Sequence, residues 1–285
     1  MTDTKTAIKV VQGPRENIED AACVINIIFQ QDSRIEAKLL AVADGVGGNR
    51  YGEIASIKAI EFLQIYLLAI IQNIDLKDQK TIRKHIIKVL KKVNSQVLEM
   101  AQKDKQLSNM STTIVAALII ENTVHIAWAG DSRCYIYNPI KKLQQISTDH
   151  SVTQELVCQG KLDPALAHCH PFAHTITQYV GKEEDFCPEV ISTEINDDDI
   201  LLLCSDGLSD VVTATNDLHN ILSMANNNQL SCSQVAHILT QKALENHTTD
   251  NATALIYQHS QPNNKTADEM YRQALTNFFK PLSKE

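Results

Sequence analysis

Six acidic residues have the side chains and the positions that a divalent-metal site would need. They are Glu19, Asp20, Asp44, Asp131, Asp206 and Asp250. Four of these lie where an apolar, strand-like segment begins or ends, namely Asp44, Asp131, Asp206 and Asp250. Strand ends that share one rim of a sheet bring together residues that are far apart in the sequence. We therefore expect the acids to converge at one site.

Converging carboxylates raise each other's pKa unless cations neutralise them. Hard divalent ions such as Mg²⁺ or Mn²⁺ prefer oxygen ligands, and a pair of them can activate water and hold a phosphoryl group. Arg15, five residues before Asp20, has the forked guanidinium that binds phosphate oxygens. This combination favours phosphoester hydrolysis. Asp-Gly pairs such as Asp44-Gly45 are also common in turns, so no acid is decisive alone.

The elements that must position these residues are strands and helices in separate blocks. Strand patterns cover residues 21–29, 38–43, 113–120, 123–129, 133–137, 200–204 and 252–257. Helical patterns cover 53–72, 81–101 and a segment around 235–243. The first of these is apolar almost all round, so we predict that it is buried on more than one side. Residues 145–190 show weak periodicity. Strands in hairpin order with segregated helices predict a layered α+β fold.

Composition excludes several classes of function. The chain has 285 residues, 44% hydrophobic and 21% charged, with a net charge of −8. Its basic runs are no longer than two residues, which argues against a nucleic-acid partner. The N-terminus lacks a signal-peptide core, the most apolar stretch (60–71) is interrupted by polar residues, and the seven cysteines form no CxxC pair. We expect a cytoplasmic protein without a membrane span.

Six short motifs, five of which contain these acids, occur in a defined order along the chain. They are RENIED (15–20), DGVGG (44–48), GDSR (130–133), DHS (149–151), SDGLSD (205–210) and DNAT (250–253). From about residue 13 to 257 the chain resembles the metal-dependent serine/threonine phosphatases of the protein phosphatase 2C (PPM) family, and most of all the compact bacterial members.

The resemblance implies a four-layer α/β/β/α sandwich, with two antiparallel sheets flanked by helices and the metals at one end. By position, Asp44 bridges two Mn²⁺ or Mg²⁺ ions. The implied ligands of these ions and of a weaker third ion, together with two catalytic residues, complete the site. Asp206 and Asp250 bind the first ion, and Glu19 and the Gly45 carbonyl bind the second. Asp131 with Asp206 and Asp210 forms the third site. Asp20 orients the attacking water, and Arg15 contacts the substrate phosphate.

The activity implied is hydrolysis of phosphoserine and phosphothreonine in proteins by direct attack of a metal-bridging water. The implied partners are phosphoprotein substrates and a cognate serine/threonine kinase, and we expect a monomer. Two alternatives stay open. One is a pseudophosphatase that only binds phosphoproteins, and the other is a phosphatase of anti-sigma-factor antagonists, which usually carries a sensory domain.

The resemblance also sets the expected domain limits. It predicts a phosphatase domain over residues 1–259 with a substrate-selecting flap over about 152–180. After a polar break at 260–264, the spacing of apolar residues predicts a C-terminal amphipathic helical tail over 260–285. Within the flap, His168, His170 and His174 with Cys169 suggest zinc, but this spacing is not a recognised zinc pattern and no fourth ligand is evident. We therefore expect a loop there. Val46 replaces a histidine found in many eukaryotic members, which leaves the general acid unassigned.

Overall fold

Two five-stranded antiparallel sheets form the centre of the molecule. The computed structural model describes residues 5–29, 36–46, 51–213, 217–226 and 230–259. The first sheet has the order β2-β3-β4-β5-β8 and the second has the order β1-β10-β9-β6-β7. Along the chain the strands are β1 (Thr6–Val11), β2 (Asp20–Ile28), β3 (Glu36–Asp44), β4 (Ile114–Ile120), β5 (Thr123–Ala129), β6 (Arg133–Asn138), β7 (Lys142–Gln145), β8 (Glu189–Glu194), β9 (Ile200–Cys204) and β10 (Ala252–Gln258).

Helices cover the outer faces of both sheets. They are α1 (Gly52–Ile71), α2 (Gln79–Lys103), α4 (Asp206–Val212), α5 (Asp217–Asn226) and α6 (Cys232–Glu245). A further helix, α3 (Val152–Cys158), lies outside these layers and contacts a short 3-10 helix, Pro164–Cys169. Helix α2 begins after Asp78, whose carboxylate accepts hydrogen bonds from the backbone N–H groups of Lys80 and Thr81. Helix α6 begins with a capping box between Ser231 and Gln234.

Three hydrophobic layers hold the four structural layers together. One lies between the first sheet and helices α1 and α2, and includes Leu39 and Leu63. A second lies between the other sheet and helices α4, α5 and α6, and includes Leu202 and Leu239. The third lies between the two sheets, where Trp128 is buried. The predicted α/β/β/α sandwich is confirmed, because each sheet has apolar residues on both faces.

Helix α1 differs from the sequence prediction. It packs on β2, β3 and α2 through one side, with Ala55, Ala59 and Leu63 fully buried, but Ile57 and Ile65 are about half exposed. The prediction that this helix is buried on more than one side was wrong, because nothing among the described residues covers the side that carries these two isoleucines. By length and composition alone α1 would also suffice to cross a membrane.

The predicted strands and helices agree with the structure within a few residues, but three strands and three helices were not predicted. The missed strands, β1, β7 and β8, all lie at sheet edges. The segment predicted to be irregular contains α3 and a short 3-10 helix (Pro164–Cys169), and β8 begins at its end. The predicted tail helix, 260–285, lies outside the described residues.

Candidate metal centre

The acidic residues lie where the two sheets meet at one end of the sandwich. Asp20 begins β2 and Asp44 ends β3, so both belong to the first sheet. Asp206 follows β9 as the first residue of α4, and Asp250 lies just before β10, so both belong to the second sheet. Asp131 lies in the turn from β5 to β6, where the chain passes from one sheet to the other. The site therefore receives acids from both halves of the fold.

The acids of this end are close enough to raise each other's pKa. Burial is the main cause of the raised pKa of Asp44, and the charges of Asp20, Asp206 and Asp131 add to it. Burial also raises the pKa of Asp131 well above its usual value, with contributions from Asp206 and Asp210. These mutual effects show that the predicted convergence is real, since carboxylates at separate sites would not have them.

Asp20 is held by hydroxyl groups of the opposite sheet. Its Oδ2 accepts hydrogen bonds from Ser205 Oγ at 2.8 Å and from Thr253 Oγ1 at 2.6 Å. The Asp20 side chain is only 8% exposed, and burial raises its pKa to about 6 despite these two bonds. Asp20 Oδ1 is buried and has no hydrogen-bond partner among the described residues. One oxygen is thus fixed while the other remains available to a ligand.

The backbone of Asp44 is fixed by two threonines. Thr112 Oγ1 donates to the Asp44 carbonyl at 2.7 Å, and the Thr113 N–H donates to the same carbonyl at 2.8 Å. The Asp44 N–H in turn donates to Thr113 Oγ1 at 3.1 Å, and this hydroxyl also bonds Ser132 Oγ at 2.6 Å. These contacts are independent of the side chain, so they leave the Asp44 carboxylate free to bind.

Glu19 and Gly45 meet at the start of α1. The Gly45 N–H donates to the Glu19 carbonyl at 3.1 Å. A Cβ on Gly45 would lie 2.5 Å from the backbone of Gly52, and a Cβ on Gly52 would lie 3.2 Å from the Glu19 carboxyl carbon. Two glycines are therefore needed for the helix to approach this loop. Burial raises the pKa of Glu19, while the Arg15 guanidinium opposes that rise.

Arg15 pairs with Asp250. Its Nη2 donates to Asp250 Oδ2, and its Nε donates to the Thr249 carbonyl at 3.1 Å. The guanidinium is about two-fifths exposed, so part of it faces solvent beside the acids. The structure thus places the predicted phosphate-binding residue against a predicted metal ligand, where it also lowers the pKa of Asp250 against the rise caused by burial.

Asn251 is a positioning residue that carried no role in the sequence analysis. Its Oδ1 accepts a hydrogen bond from the Glu19 N–H at 2.7 Å. Its Nδ2 donates to the carbonyls of Gln12 at 2.7 Å and Asn17 at 3.0 Å. The side chain is 1% exposed. The signal for it was present in the DNAT motif, but only the fold shows that it joins β10 to the loop carrying Arg15 and Glu19.

A mostly buried ion pair supports the other side of the cluster. Arg133 donates from Nε and Nη2 to both carboxylate oxygens of Asp149, at 2.7 to 3.1 Å, and its Nη2 lies 3.7 Å from Asp210 Oδ1. Burial raises the pKa of Asp210 to about 6, the Asp206 charge adds to the rise, and Arg133 and His174 oppose it. The GDSR and DHS motifs contain Arg133 and Asp149, and the structure shows why the two belong together.

The donor set fits hard divalent ions. Asp20 Oδ1 and Asp206 Oδ1 are both buried without a hydrogen-bond partner among the described residues. A buried, unpaired carboxylate oxygen is costly, and a cation beside it removes that cost. All-oxygen donors of this kind are those that Mg²⁺ and Mn²⁺ prefer. The individual assignments of Glu19, Asp44, Gly45, Asp131, Asp206, Asp210 and Asp250 as ligands, and of Asp20 and Arg15 as catalytic residues, stay predictions.

The region predicted as a flap is joined to the site through its return segment. Thr177 donates its N–H to the His150 carbonyl at 2.7 Å, and Thr112 pairs with Val180. His150 has a structural role, because its Nδ1 accepts from the Gly130 N–H at 3.3 Å and its ring stacks on Trp128. The region thus attaches to the turn that carries Asp131.

Among the side chains that the structure describes, His170 and His174 of this segment lie in different surroundings. His170 Nδ1 accepts a hydrogen bond from the Phe172 N–H at 3.2 Å, and the side chain of His168 is outside the described part of the chain. His174 instead lies beside the acids, in a group with Asp206 and Asp210 whose ligand atoms are all within 4.8 Å of one another. Sequence spacing held no signal for this contact.

Comparisons with known proteins agree with this geometry. The family model described as Protein phosphatase 2C matches residues 24–249. The serine/threonine phosphatase stp of Listeria welshimeri is 32% identical over 222 residues, which is 78% of this chain and 84% of that protein. The serine/threonine protein phosphatase PstP of Mycobacterium tuberculosis is also 32% identical, over 77% of this chain and 40% of that longer protein.

Solved structures show the same fold. The crystal structure of the serine/threonine phosphatase Stp1 from Staphylococcus aureus has a TM-score of 0.73 and 30% identity, covering 90% of this chain and 95% of that one. The catalytic domain of PstP in complex with two manganese ions has a TM-score of 0.69 and 29% identity, covering 89% and 96%. With a family match over most of its length and an acidic centre in the same kind of sandwich, this chain belongs to the protein phosphatase 2C family.

Proposed function

We propose that the protein is a metal-dependent phosphatase that hydrolyses phosphoserine and phosphothreonine in other proteins. The observation that carries this proposal is the buried acidic cluster, whose free carboxylate oxygens on Asp20 and Asp206 meet where the two sheets join. Relatives named as serine/threonine phosphatases support the substrate class, and the PstP structure with two manganese ions supports the cofactor. Intact ligand positions favour an active enzyme over a pseudophosphatase.

Each residue of the site has a separate proposed role that follows from its position. Mn²⁺ or Mg²⁺, when bound by Asp44, Asp206, Asp250, Glu19 and the Gly45 carbonyl, lowers the pKa of water and neutralises phosphoryl charge. Arg15 has a guanidinium about two-fifths exposed at the edge of the cluster, where it can bind the phosphate of a substrate.

Asp20 is suited to orient the attacking water. Ser205 and Thr253 hold its Oδ2, so the free Oδ1 has a fixed direction and can accept a hydrogen bond from that water.

We further propose that residues 1–259 form the catalytic domain with a substrate-selecting flap over about 152–180, followed by a tail over 260–285. The partners are phosphoproteins and the serine/threonine kinase that phosphorylates them, and the phosphatase acts as a monomer in the cytoplasm. All seven cysteines are unpaired, which supports a reducing compartment.

A direct test uses purified protein with p-nitrophenyl phosphate and phosphothreonine peptides. We expect hydrolysis that requires Mn²⁺ or Mg²⁺ and stops with EDTA. A phosphotyrosine peptide and a phosphothreonine peptide of the same sequence test the substrate class. Activity that persists in excess chelator would overturn the metal-dependent mechanism, and a clear preference for phosphotyrosine would overturn the substrate assignment.

A further inference from the structure

The flap brings one histidine to the edge of the acidic cluster. His174 Nδ1 lies 3.7 Å from Asp210 Oδ2, and one ligand atom from each of His174, Asp206 and Asp210 lies within 4.8 Å of the other two. Nitrogen and oxygen ligands bind first-row divalent metals at about 2.0–2.2 Å, so two ligands of one ion are separated by up to about 4.4 Å. A small rotation of an exposed side chain therefore completes a site.

Asp206 supplies an independent observation. Its Oδ1 is buried and unpaired among the residues that the structure describes. Asp210 has its two oxygens directed to different neighbours, since Oδ1 lies 3.7 Å from Arg133 Nη2 and Oδ2 faces His174. A cation between His174, Asp206 and Asp210 would use a carboxylate oxygen of Asp206 and the Asp210 oxygen that Arg133 does not approach.

A simple ion pair explains the arrangement less well. At 3.7 Å, the His174 nitrogen and the Asp210 oxygen are beyond the range of a hydrogen bond. The His174 side chain is 77% exposed, and exposed ion pairs contribute little to stability. Such a pair would also leave the buried oxygen of Asp206 without a partner.

We propose that His174 is a flap ligand of a divalent ion shared with Asp206 and Asp210. The inference rests on the proposed function and deepens its weaker third site, which the sequence analysis assigned to aspartates alone. An imidazole nitrogen favours transition metals such as Mn²⁺ over Mg²⁺, which prefers oxygen ligands. This site should therefore discriminate between the two metals more than an all-carboxylate site would.

The same ligand would couple metal binding to the flap. His174 is followed directly by the anchored return segment, in which the Thr175 carbonyl accepts from the Val152 N–H at 2.9 Å and the Thr177 N–H donates to His150. Asp206 and Asp210 belong to α4 in the second sheet's helical layer. An ion held by all three residues would tie the flap to the catalytic domain.

The test counts bound Mn²⁺ by electron paramagnetic resonance and calorimetry in the wild type and in His174→Ala. His170→Ala is the matched control from the same flap, and His237→Ala controls for binding to any exposed histidine. We expect His174→Ala to weaken the lowest-affinity Mn²⁺ by about tenfold or more, to leave the tighter ions in place, and to reduce the preference for Mn²⁺ over Mg²⁺ at that site. Both controls should bind as the wild type does.

Hydrogen exchange over residues 152–180 gives a second readout that does not depend on turnover. Mn²⁺ should slow exchange there in the wild type and in His170→Ala, but not in His174→Ala. If wild type and His174→Ala bind the same number of ions with the same affinity, this inference is wrong while the phosphatase proposal stands. If the wild type binds no Mn²⁺ at all, both proposals fail.

Discussion

Asp20 and Asp44 are directly paired residues across the antiparallel β2–β3 ladder. Directly opposed residues have their Cβ atoms about 4.5–5.5 Å apart on the same face of the sheet. The register of the two strands therefore makes the two carboxyl groups neighbours. Like charges in this position destabilise a sheet. The two acids lie opposite each other at the end of the sheet where the second sheet supplies more acids. This arrangement is the one expected of a site that binds a cation.

The first prediction concerns Asp44, which the charges of three other aspartates surround. Asp44→Asn should lower kcat/KM for a phosphothreonine peptide by orders of magnitude and weaken Mn²⁺ binding, because the proposed bridging ligand is lost. In EDTA the same variant should melt at a higher temperature than the wild type, because a buried charge has been removed. Calorimetry and thermal melts measure the two effects, and Asp217→Asn, at the start of α5, is the control. Near-normal turnover with Mn²⁺ would contradict the assignment.

A second prediction follows from the raised pKa of Asp20, about 6. A carboxyl group with a raised pKa in the folded state binds more protons there than in the unfolded chain. In EDTA, its contribution to the free energy of unfolding is therefore retained below about pH 4 and falls as pH rises from about 4 to 6, by about 3 kcal/mol in all. Asp44 and Asp131 act in the same direction.

Urea unfolding of the wild type and Asp20→Asn across this pH range measures the effect. The variant should gain stability relative to the wild type as pH rises, and the gap should be largest above pH 6. Saturating Mn²⁺ should reverse the trend for the wild type, since binding requires deprotonated ligands. A stability difference that does not change between pH 4 and 7 would argue against the buried, protonated carboxyl.

The third prediction separates phosphate binding from metal binding at Arg15. Arg15→Ala should raise KM by about tenfold or more, because a charged hydrogen bond contributes about 1.5–3 kcal/mol. Mn²⁺ affinity should change much less. Arg15→Lys should recover only part of the loss, because an ammonium group lacks the fork. Lys9→Ala, which removes an exposed charge from β1, is the control in the same kinetic assay. Equal KM values for Arg15→Ala and wild type would exclude the role.

A fourth prediction concerns Asn251, which joins β10 to the loop before β2. Asn251→Ala leaves the Glu19 N–H and two carbonyl groups without their partner, so we expect a loss of about 1–3 kcal/mol in stability. Because Glu19 loses its orientation, Mn²⁺ affinity should also fall by about 10–100-fold. The matched control is Asn246→Ala. Asn246 follows α6, and its substitution removes a hydrogen bond to the Val211 carbonyl. It should lose stability without losing metal affinity.

The fifth prediction concerns the buried pair of Arg133 and Asp149. Arg133→Met leaves Asp149 as an uncompensated buried charge and should cost about 3 kcal/mol or more in the free energy of unfolding. The double variant with Asp149→Leu should recover much of that loss, because no charge remains buried. Chemical denaturation of the single and double variants gives the comparison. An additive loss in the double variant would show that the two residues do not act as a pair.

Much of the sandwich was predictable because its central strands are strongly apolar. The pattern predicted β9 over residues 200–204 and the helix over 81–101, close to the observed Ile200–Cys204 and Gln79–Lys103. The missed strands β1, β7 and β8 are edge strands, which pack against fewer neighbours and so need no continuous apolar run. Short helices such as α4 have too few turns to produce a periodic pattern.

The acids were predictable for the same reason, since an aspartate that follows a buried strand stands out. The supporting contacts were not. Arg133 and Asp149 are paired across 16 residues, and the contact between His174 and Asp210 depends on how an irregular segment folds back over α4. Neither periodicity nor composition records such a path. Motifs can point to the residues concerned, but only the fold assigns their partners.

The division of the centre between two sheets has a consequence for residues that never touch a substrate. The relative placement of the sheets is set by the apolar layer around Trp128, so the spacing between Asp44 on one sheet and Asp206 beside the other depends on how that layer packs. Packing of the interior thus sets the relative positions of the acids in the metal site. A substitution that changes side-chain volume in this layer should therefore alter turnover as well as stability.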